Sequence, residues 1–264
     1  MKCTCVQYKK NKDGIGYTSY PCGQCIACRL NKVRDWTIRL MHESRFHQDS
    51  VFITLTYDPE HLPVDGCVHK EDIQLFMKRL RYYHPNVRFF ACGEYGERYS
   101  RPHYHLIIFG LSIKDPLFKG KVYDKKSKGY YLKSKLWMNG NMYLGDVTYS
   151  SCRYVASYVN KKQFGKKGKE FYQTNSLTPE FTLMSRRPGI GTEFVNFTKQ
   201  CSDVIKQLSL MEDGQQCPDF MKTKFLILMS LKRNVRQKKK PFAQSQNQIL
   251  NLCNGKKMSL LVLV

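Results

Sequence analysis

Apolar residues in the first part of the chain recur at two different periods. Ile26, Leu30, Val33, Thr37, Leu40 and Met41 keep the three-to-four spacing of one helix face, which predicts a helix over about 26–47. Arg29, Lys32, Arg34, Arg39 and Arg45 take the remaining positions, as a solvated face or one that meets phosphate. Val51 to Tyr57 then reads as a buried strand, ended by Asp58-Pro59. Ile73, Phe76, Met77, Leu80 and Tyr83 return to helical spacing over 70–84. Val87 to Tyr95 is a second strand, and a hairpin from Gly96 to Arg101 leads into a third, Pro102 to Phe109.

The pattern is less regular beyond Gly110. Residues 110–140 are polar, Lys-rich and punctuated by glycine, and read as a long insertion. Asn141 to Tyr149 predicts another strand. Ser150 or Ser151 caps a helix through Tyr154 and Tyr158 to about Lys162. Gln163 to Glu170 reads as a Lys/Gly loop, Phe171 to Ser185 as one or two short strands, Arg186 to Gly191 as a turn, and Thr192 to about Met211 as a helix. Past Asp213 a helix over 220–232 is followed by the basic run Leu231–Lys240, and the segment reads as a loosely packed basic tail. The expected division is a Cys-rich element at 1–28, a main domain at 29–212 with its insertion at 110–140, and the tail at 213–264.

Charge adds a partner to this α+β pattern. The 264 residues carry 44 Lys and Arg against 21 Asp and Glu, a net charge of +23, with 17 Tyr and 15 Phe interleaved. Such a field suits a polyanion whose counterions are released on binding, and aromatic side chains suit bases, so nucleic acid is the expected partner. The 110–140 insertion then reads as a flap that contacts DNA. No run of about 18 apolar residues is present to cross a membrane, and Met1-Lys-Cys-Thr-Cys5 has no apolar leader core. Eleven cysteines without a leader point to a reducing compartment.

Three groups of residues carry candidate chemistry. Cys22, Cys25 and Cys28 form C-x2-C-x2-C, and with Cys3 or Cys5 offer four thiolates to one zinc ion; an iron–sulfur cluster and free thiols are the other readings. Cys5, Cys22, Cys25 and Cys28 are the expected ligands. His103 and His105 alternate on the third strand, so both imidazoles share a face with Tyr104 opposite. Glu94, on the neighbouring hairpin strand, is the expected third ligand, with Glu97 second choice; two imidazoles and a carboxylate suit Mn²⁺ or Mg²⁺ on a phosphate oxygen. Tyr154 and Tyr158 lie one helical turn apart, with Lys161 a turn beyond. Tyrosines so spaced are ordinarily core or rim residues. Beside a metal, a phenol attacks a phosphodiester and a lysine lowers its pKa or contacts phosphate.

In order and spacing, Phe52-Ile-Thr-Leu-Thr56, Pro102-His-Tyr-His105-Leu-Ile-Ile-Phe and Tyr154-Val-Ala-Ser-Tyr158-Val-Asn-Lys-Lys162 resemble the HUH endonucleases that initiate rolling-circle replication. Cys22-Gly-Gln-Cys-Ile-Ala-Cys28-Arg, Gly93-Glu-Tyr-Gly96 and Pro188-Gly-Ile-Gly191 are similar to the initiators of microviruses, the gokushovirus branch in particular. The resemblance spans about residues 3–210. It implies an antiparallel sheet with flanking helices, the ferredoxin-like or RRM-like HUH core. It implies metal on His103 and His105, and a tyrosine that nicks the origin and keeps the 5′ phosphate while the 3′-OH primes synthesis. The second tyrosine would cut the regenerated origin, and the ends would be rejoined. Tyr158, in a Tyr-x-x-Lys pattern, ranks first and Tyr154 second. Thr54 and Thr56 are expected in the sheet and in DNA positioning, and Lys162, Arg186 and Arg187 on DNA. Implied partners are single-stranded origin DNA, a host polymerase and a host helicase, in the host cytoplasm, since no Walker-type glycine loop is present. A zinc-stabilised basic DNA-binding protein without activity, and an HUH transposase or relaxase, are the competing readings.

Overall fold

The computed structural model describes residues 1–96, 99–125, 128–161 and 165–209. Residues 1–191 form one compact unit, and a second begins at Thr192. The expected tail, with its helix at 220–232, lies outside the described residues, as do Lys162 and Glu97.

The first unit opens with a hairpin of two short exposed strands, β1 (Gln7–Lys10) and β2 (Tyr17–Tyr20), joined through Gly14 and Gly16 at positive φ. Sequence periodicity does not reveal them, because all eight residues are exposed and none repeats apolar against polar. Helix α1 (Ile26–Arg45), strand β3 (Ser50–Tyr57), helix α2 (Lys70–Tyr83) and strands β4 (Arg88–Tyr95) and β5 (Pro102–Phe109) follow within two residues of expectation.

The 110–140 segment departs from expectation. It contains β6 (Val122–Asp124), β7 (Gly129–Ser134) and the start of β8 (Trp137–Asp146), which extend the sheet beside β3. Only one face of these strands is apolar: Leu132, Trp137, Met142 and Leu144 enter the core. Lysines and glycines dilute that alternation below recognition. Gly140 is part of the pairing itself, since a Cβ there would lie 2.2 Å from the Thr56 carbonyl. Next come α3 (Tyr149–Ser157), α4 (Gly165–Thr174) and β9 (Phe181–Met184). Helix α4 replaces the expected loop over 163–170. Gly165 and Gly168 give its start poor helix propensity, but its end is anchored by buried Tyr172, whose hydroxyl donates to Glu180. The second unit is described as α5 (Thr192–Ser209).

All pairings are antiparallel, and the main sheet runs β6-β7-β8-β3-β5-β4-β9. One face packs Val51, Ile53, Leu55, Tyr104, Leu106 and Ile108 in a core that includes Ile73, Phe76, Met77 and Leu80 of α2. The other packs Phe90, Cys92, Ile107 and Phe109 with Leu40 of α1 and Cys152, Val155 and Ala156 of α3. The observed class is therefore α+β, an antiparallel sheet with flanking helices. Helices α1 and α3 cover only the β4–β5 half of their face. On β3, β8 and β7 the same face stays half-buried at Thr54, Thr56, Asn141, Tyr143 and Tyr131. Among the described residues no helix is long and apolar enough to cross a membrane.

Candidate active site

Two cross-strand rows meet at the open edge of the helical layer. The register places Glu94 opposite His103, His103 opposite Thr56 and Thr56 opposite Asn141. One step along, Cys92, His105, Thr54, Tyr143 and Tyr131 align in the same way. Directly paired residues share a face, so Glu94, His103 and His105 project together.

Their donor atoms converge within 4.8 Å of one another. Glu94 Oε1 lies 2.8 Å from His103 Nε2 and 3.1 Å from His105 Nε2. The other ring nitrogens are engaged elsewhere: His103 Nδ1 is 3.1 Å from the Arg101 carbonyl and His105 Nδ1 is 2.9 Å from Thr54 Oγ1. A carbonyl only accepts, so the proton of neutral His103 sits on Nδ1 and its Nε2 lone pair faces Glu94. Thr54 does the same for His105, an orienting role its place in the strand pattern did not reveal. Edges of 2.8 and 3.1 Å are close to the ~2.9 Å between neighbouring ligands of an octahedral ion at ~2.0–2.1 Å. These residues therefore fit a small divalent cation.

Charge is arranged to suit one. Burial would raise the Glu94 carboxyl, but hydrogen bonds from His103, His105, Lys161 and Tyr158 hold it well below the usual range. Burial lowers His105, keeping it neutral and available as a ligand. Lys161 takes the opposite carboxylate oxygen, Nζ to Glu94 Oε2 at 2.7 Å, leaving Oε1 for the imidazoles. Its ammonium also sits 4.7 Å from the centre of the Tyr158 ring.

Helix α3 delivers the tyrosines. Its cap is Thr148, in a reciprocal capping box with Ser151, rather than Ser150 or Ser151. The α-helix stops at Ser157, and Tyr158–Asn160 continue as a 3-10 turn. Both rings still reach the site. Tyr158 stacks on His105 with centroids 5.1 Å apart and is 5% exposed. Tyr154 is 46% exposed, with its hydroxyl 3.3 Å from His105 Nε2. Burial and the Glu94 charge raise the Tyr158 phenol far above its usual value. Burial also raises Tyr154, less so because a hydrogen bond from Tyr158 favours its phenolate.

Residues 50–163 match the family model of replication-associated protein ORF2. The chain is a relative of the phage replication-associated proteins. It is 34% identical over 210 residues to replication-associated protein ORF2 of Spiroplasma virus 4, covering 74% of this chain and 62% of that protein. It is 37% identical over 165 residues to replication-associated protein VP4 of Bdellovibrio phage phiMH2K, covering 58% and 52%. Replication-associated protein ORF4 of Chlamydia phage 1 is 33% identical over 153 residues, covering 54% and 38%. The chain thus spans less than two thirds of the length of each of these relatives. No solved structure gives a significant match. Glu94, His103, His105, Tyr154, Tyr158 and Lys161 all lie within the family match.

The cysteine element lies outside that match. Four thiols converge within 4.8 Å, and the fourth is Cys3 rather than Cys5. A bend at Thr4-Cys5 turns the Cys5 side chain to solvent. Cys3 Sγ is 3.6 Å from Cys22 Sγ and 3.8 Å from Cys25 Sγ, unbonded, close to the ~3.8 Å edge of a tetrahedron with 2.3 Å metal–sulfur bonds. Backbone N–H groups of Cys28 and Thr4 hold the Cys25 thiol down to about 5, whereas burial and the adjoining thiols push Cys28 up to about 12. Thiols that resist shared ionisation are what a divalent cation relieves.

The other expected contacts separate from the site. Arg186 and Arg187 are exposed just past β9, beside the Arg88 end of β4, six residues and about 20 Å along the strand from Glu94. On α1, Arg39 donates to the Ile190 carbonyl at 3.1 and 3.0 Å, and Arg29 to the Asn160 carbonyl at 2.7 Å. These two arginines tie the fold together.

Proposed function

We propose that this chain initiates phage DNA replication by nicking one strand at an origin with a tyrosine nucleophile and later rejoining the ends. The observation that carries this reading is the half-exposed Tyr154 hydroxyl 3.3 Å from His105 Nε2, at a centre of two imidazoles and a carboxylate. Glu94, His103 and His105 hold Mn²⁺ or Mg²⁺, the imidazole nitrogens favouring Mn²⁺. When bound, the ion draws charge from the scissile phosphate and offsets the charge of the transition state.

The chain's own residues supply the rest. Tyr154, exposed and with its phenolate favoured by the Tyr158 hydroxyl, makes the first attack; this reverses the order implied by the Tyr-x-x-Lys pattern. Its oxygen bonds to phosphorus as the bond to the 3′ oxygen breaks. The phenolic proton passes, in net balance, to that oxygen and leaves a 3′-OH, which primes a host polymerase while a host helicase opens the duplex. The 5′ phosphate stays on the tyrosine. Tyr158 attacks the regenerated origin, and the free 3′-OH displaces the first tyrosine to close the product. Lys161 offsets negative charge beside both phenols. DNA enters over Tyr131, Tyr143, Asn141 and Thr56, a half-buried row of stacking and hydrogen-bonding groups leading to His103, helped by the +23 charge. The four cysteines hold a structural Zn²⁺ that staples the amino-terminal hairpin to α1.

The test uses single-stranded oligonucleotides tiling the replicon that encodes the chain, with Mn²⁺ or Mg²⁺. A protein–DNA adduct that survives denaturation is expected. Tyr154→Phe with Tyr158→Phe abolishes it, and each single change leaves part. Folded wild-type protein that forms no adduct with any oligonucleotide refutes the nickase and leaves a DNA-binding protein without activity.

A further inference from the structure

The start of α1 lacks the groups that normally stabilise a helix amino terminus. Cys25 occupies the cap without a side-chain hydrogen bond, and the first turn holds no acidic residue. What stands there is the thiol cluster: Cys25 at the cap and Cys28 in the first turn, joined by Cys3 and Cys22. The amino terminus is clipped to the same region, since the Met1 ammonium donates to Asn31 Oδ1 at 3.2 Å and Asn31 Nδ2 to the Met1 carbonyl at 2.8 Å.

The next residue, Arg29, faces the tyrosine turn. Its Nη2 donates to the Asn160 carbonyl at 2.7 Å, and Asn160 Nδ2 donates back to the Arg29 carbonyl at 2.6 Å. Asn160 is buried, and closes the 3-10 turn that begins at Tyr158. Lys161 follows and reaches Glu94. A continuous path therefore runs from the cysteines through one reciprocal pair to Tyr158, and to the Lys161 ammonium on the Glu94 carboxylate.

We infer that a thiophilic divalent ion on Cys3, Cys22, Cys25 and Cys28 sets the position of Tyr158 and Lys161 through the Arg29–Asn160 pair. Thiolates drawn together by the ion supply the missing cap charge and stop the first turn of α1 from fraying. The carbonyl and guanidinium of Arg29 are then fixed, and Asn160 is gripped from both sides. Arg29 and Asn160 are positioning residues. Tyr154 belongs to α3 proper, held by its own capping box at Thr148 and Ser151, and does not depend on this path. The inference rests on the nicking reading for its effect on activity, but not for its effect on structure.

Two measurements on the full chain test it. The first needs no activity: hydrogen exchange of backbone amides in zinc-loaded wild type, in Cys22→Ser and in Asn160→Ala. Wild type is expected to hold one zinc and Cys22→Ser none. Exchange over 157–161 speeds up in both variants, while 102–109 stays protected. Unchanged exchange over 157–161 in Cys22→Ser overturns the inference, whatever the protein does to DNA. The second compares adduct formation in two backgrounds. With Tyr154→Phe, where only Tyr158 can attack, Asn160→Ala and Cys22→Ser are each expected to slow the adduct about tenfold or more. With Tyr158→Phe they leave the rate near that of the background. A general loss of stability would slow both backgrounds alike, and equal slowing overturns the inference. Absence of adduct in both backgrounds with normal exchange changes refutes the nicking reading instead.

Discussion

At the scale of single residues, alternation along a strand was enough to bring His103 and His105 together, and the hairpin to bring Glu94 to them. The sequence did not reveal what aims the rings. Thr54 sits on the neighbouring strand, 51 positions from His105, yet its Oγ1 lies 2.9 Å from His105 Nδ1. That contact presents Nε2 to the metal. Thr54→Val keeps the shape and removes the hydrogen bond, and is expected to weaken Mn²⁺ binding ~10–100-fold, with Thr54→Ser restoring much of it. Titration followed by the electron paramagnetic resonance of free Mn²⁺ measures this. Equal affinity in wild type and Thr54→Val would remove Thr54 from the site. The tyrosine pair was likewise visible as an i, i+4 spacing. That one ring is sheltered and the other exposed was not, because it depends on the turn that replaces the last part of the helix.

At the scale of elements, α1 is held to the sheet by a carboxylate that periodicity alone marks as ordinary. Glu43 is 2% exposed; it accepts from Gly191 N–H at 2.6 Å, contacts His47 at 3.3 Å and pairs with Arg88 Nε. Arg88 in turn donates to the Pro188 and Gly189 carbonyls at 2.8 and 3.2 Å. Burial pushes the Glu43 carboxyl up, but His47, the Gly191 amide and Arg88 together hold it below the usual 4.5. A carboxyl depressed on folding adds stability above its unfolded pKa, and that stability is lost as pH falls from about 4.5 toward the folded value. The urea midpoint of the wild type should therefore drop as the solution is acidified through this range. Glu43→Gln is expected to be less stable by about 3 kcal/mol at neutral pH, because Arg88 loses its partner, and to show a shallower acid dependence. Glu94 and Asp65 are depressed too, so part of the slope remains. An unaltered slope in Glu43→Gln would show that this carboxylate is not the latch.

At the scale of the whole molecule, a net charge of +23 and an open sheet face beside the metal donors make a testable claim about DNA. Affinity for a labelled single-stranded oligonucleotide should fall linearly with log salt. A slope of about −3 or steeper corresponds to four or more phosphates at roughly −0.7 each. A slope near zero between about 50 and 200 mM salt would rule out a phosphate-tracking face. Tyr131→Ala with Tyr143→Ala is expected to weaken binding while leaving that slope in place, since stacking carries no counterions. By itself, the sequence determined the α+β class, the central strands and helices, the His, Glu and Tyr groups, and the need for a polyanionic partner. These follow from local period and from charge, which are properties of the chain before it folds. Only the tertiary structure decided that Cys3 and not Cys5 completes the thiol cluster. It also decided that the polar 110–140 segment becomes sheet, that Arg186 and Arg187 stand away from the metal donors, and that Arg29 grips the tyrosine turn. Each of these depends on contacts between distant stretches of chain, where a carbonyl or a bend outweighs the residue's own preference.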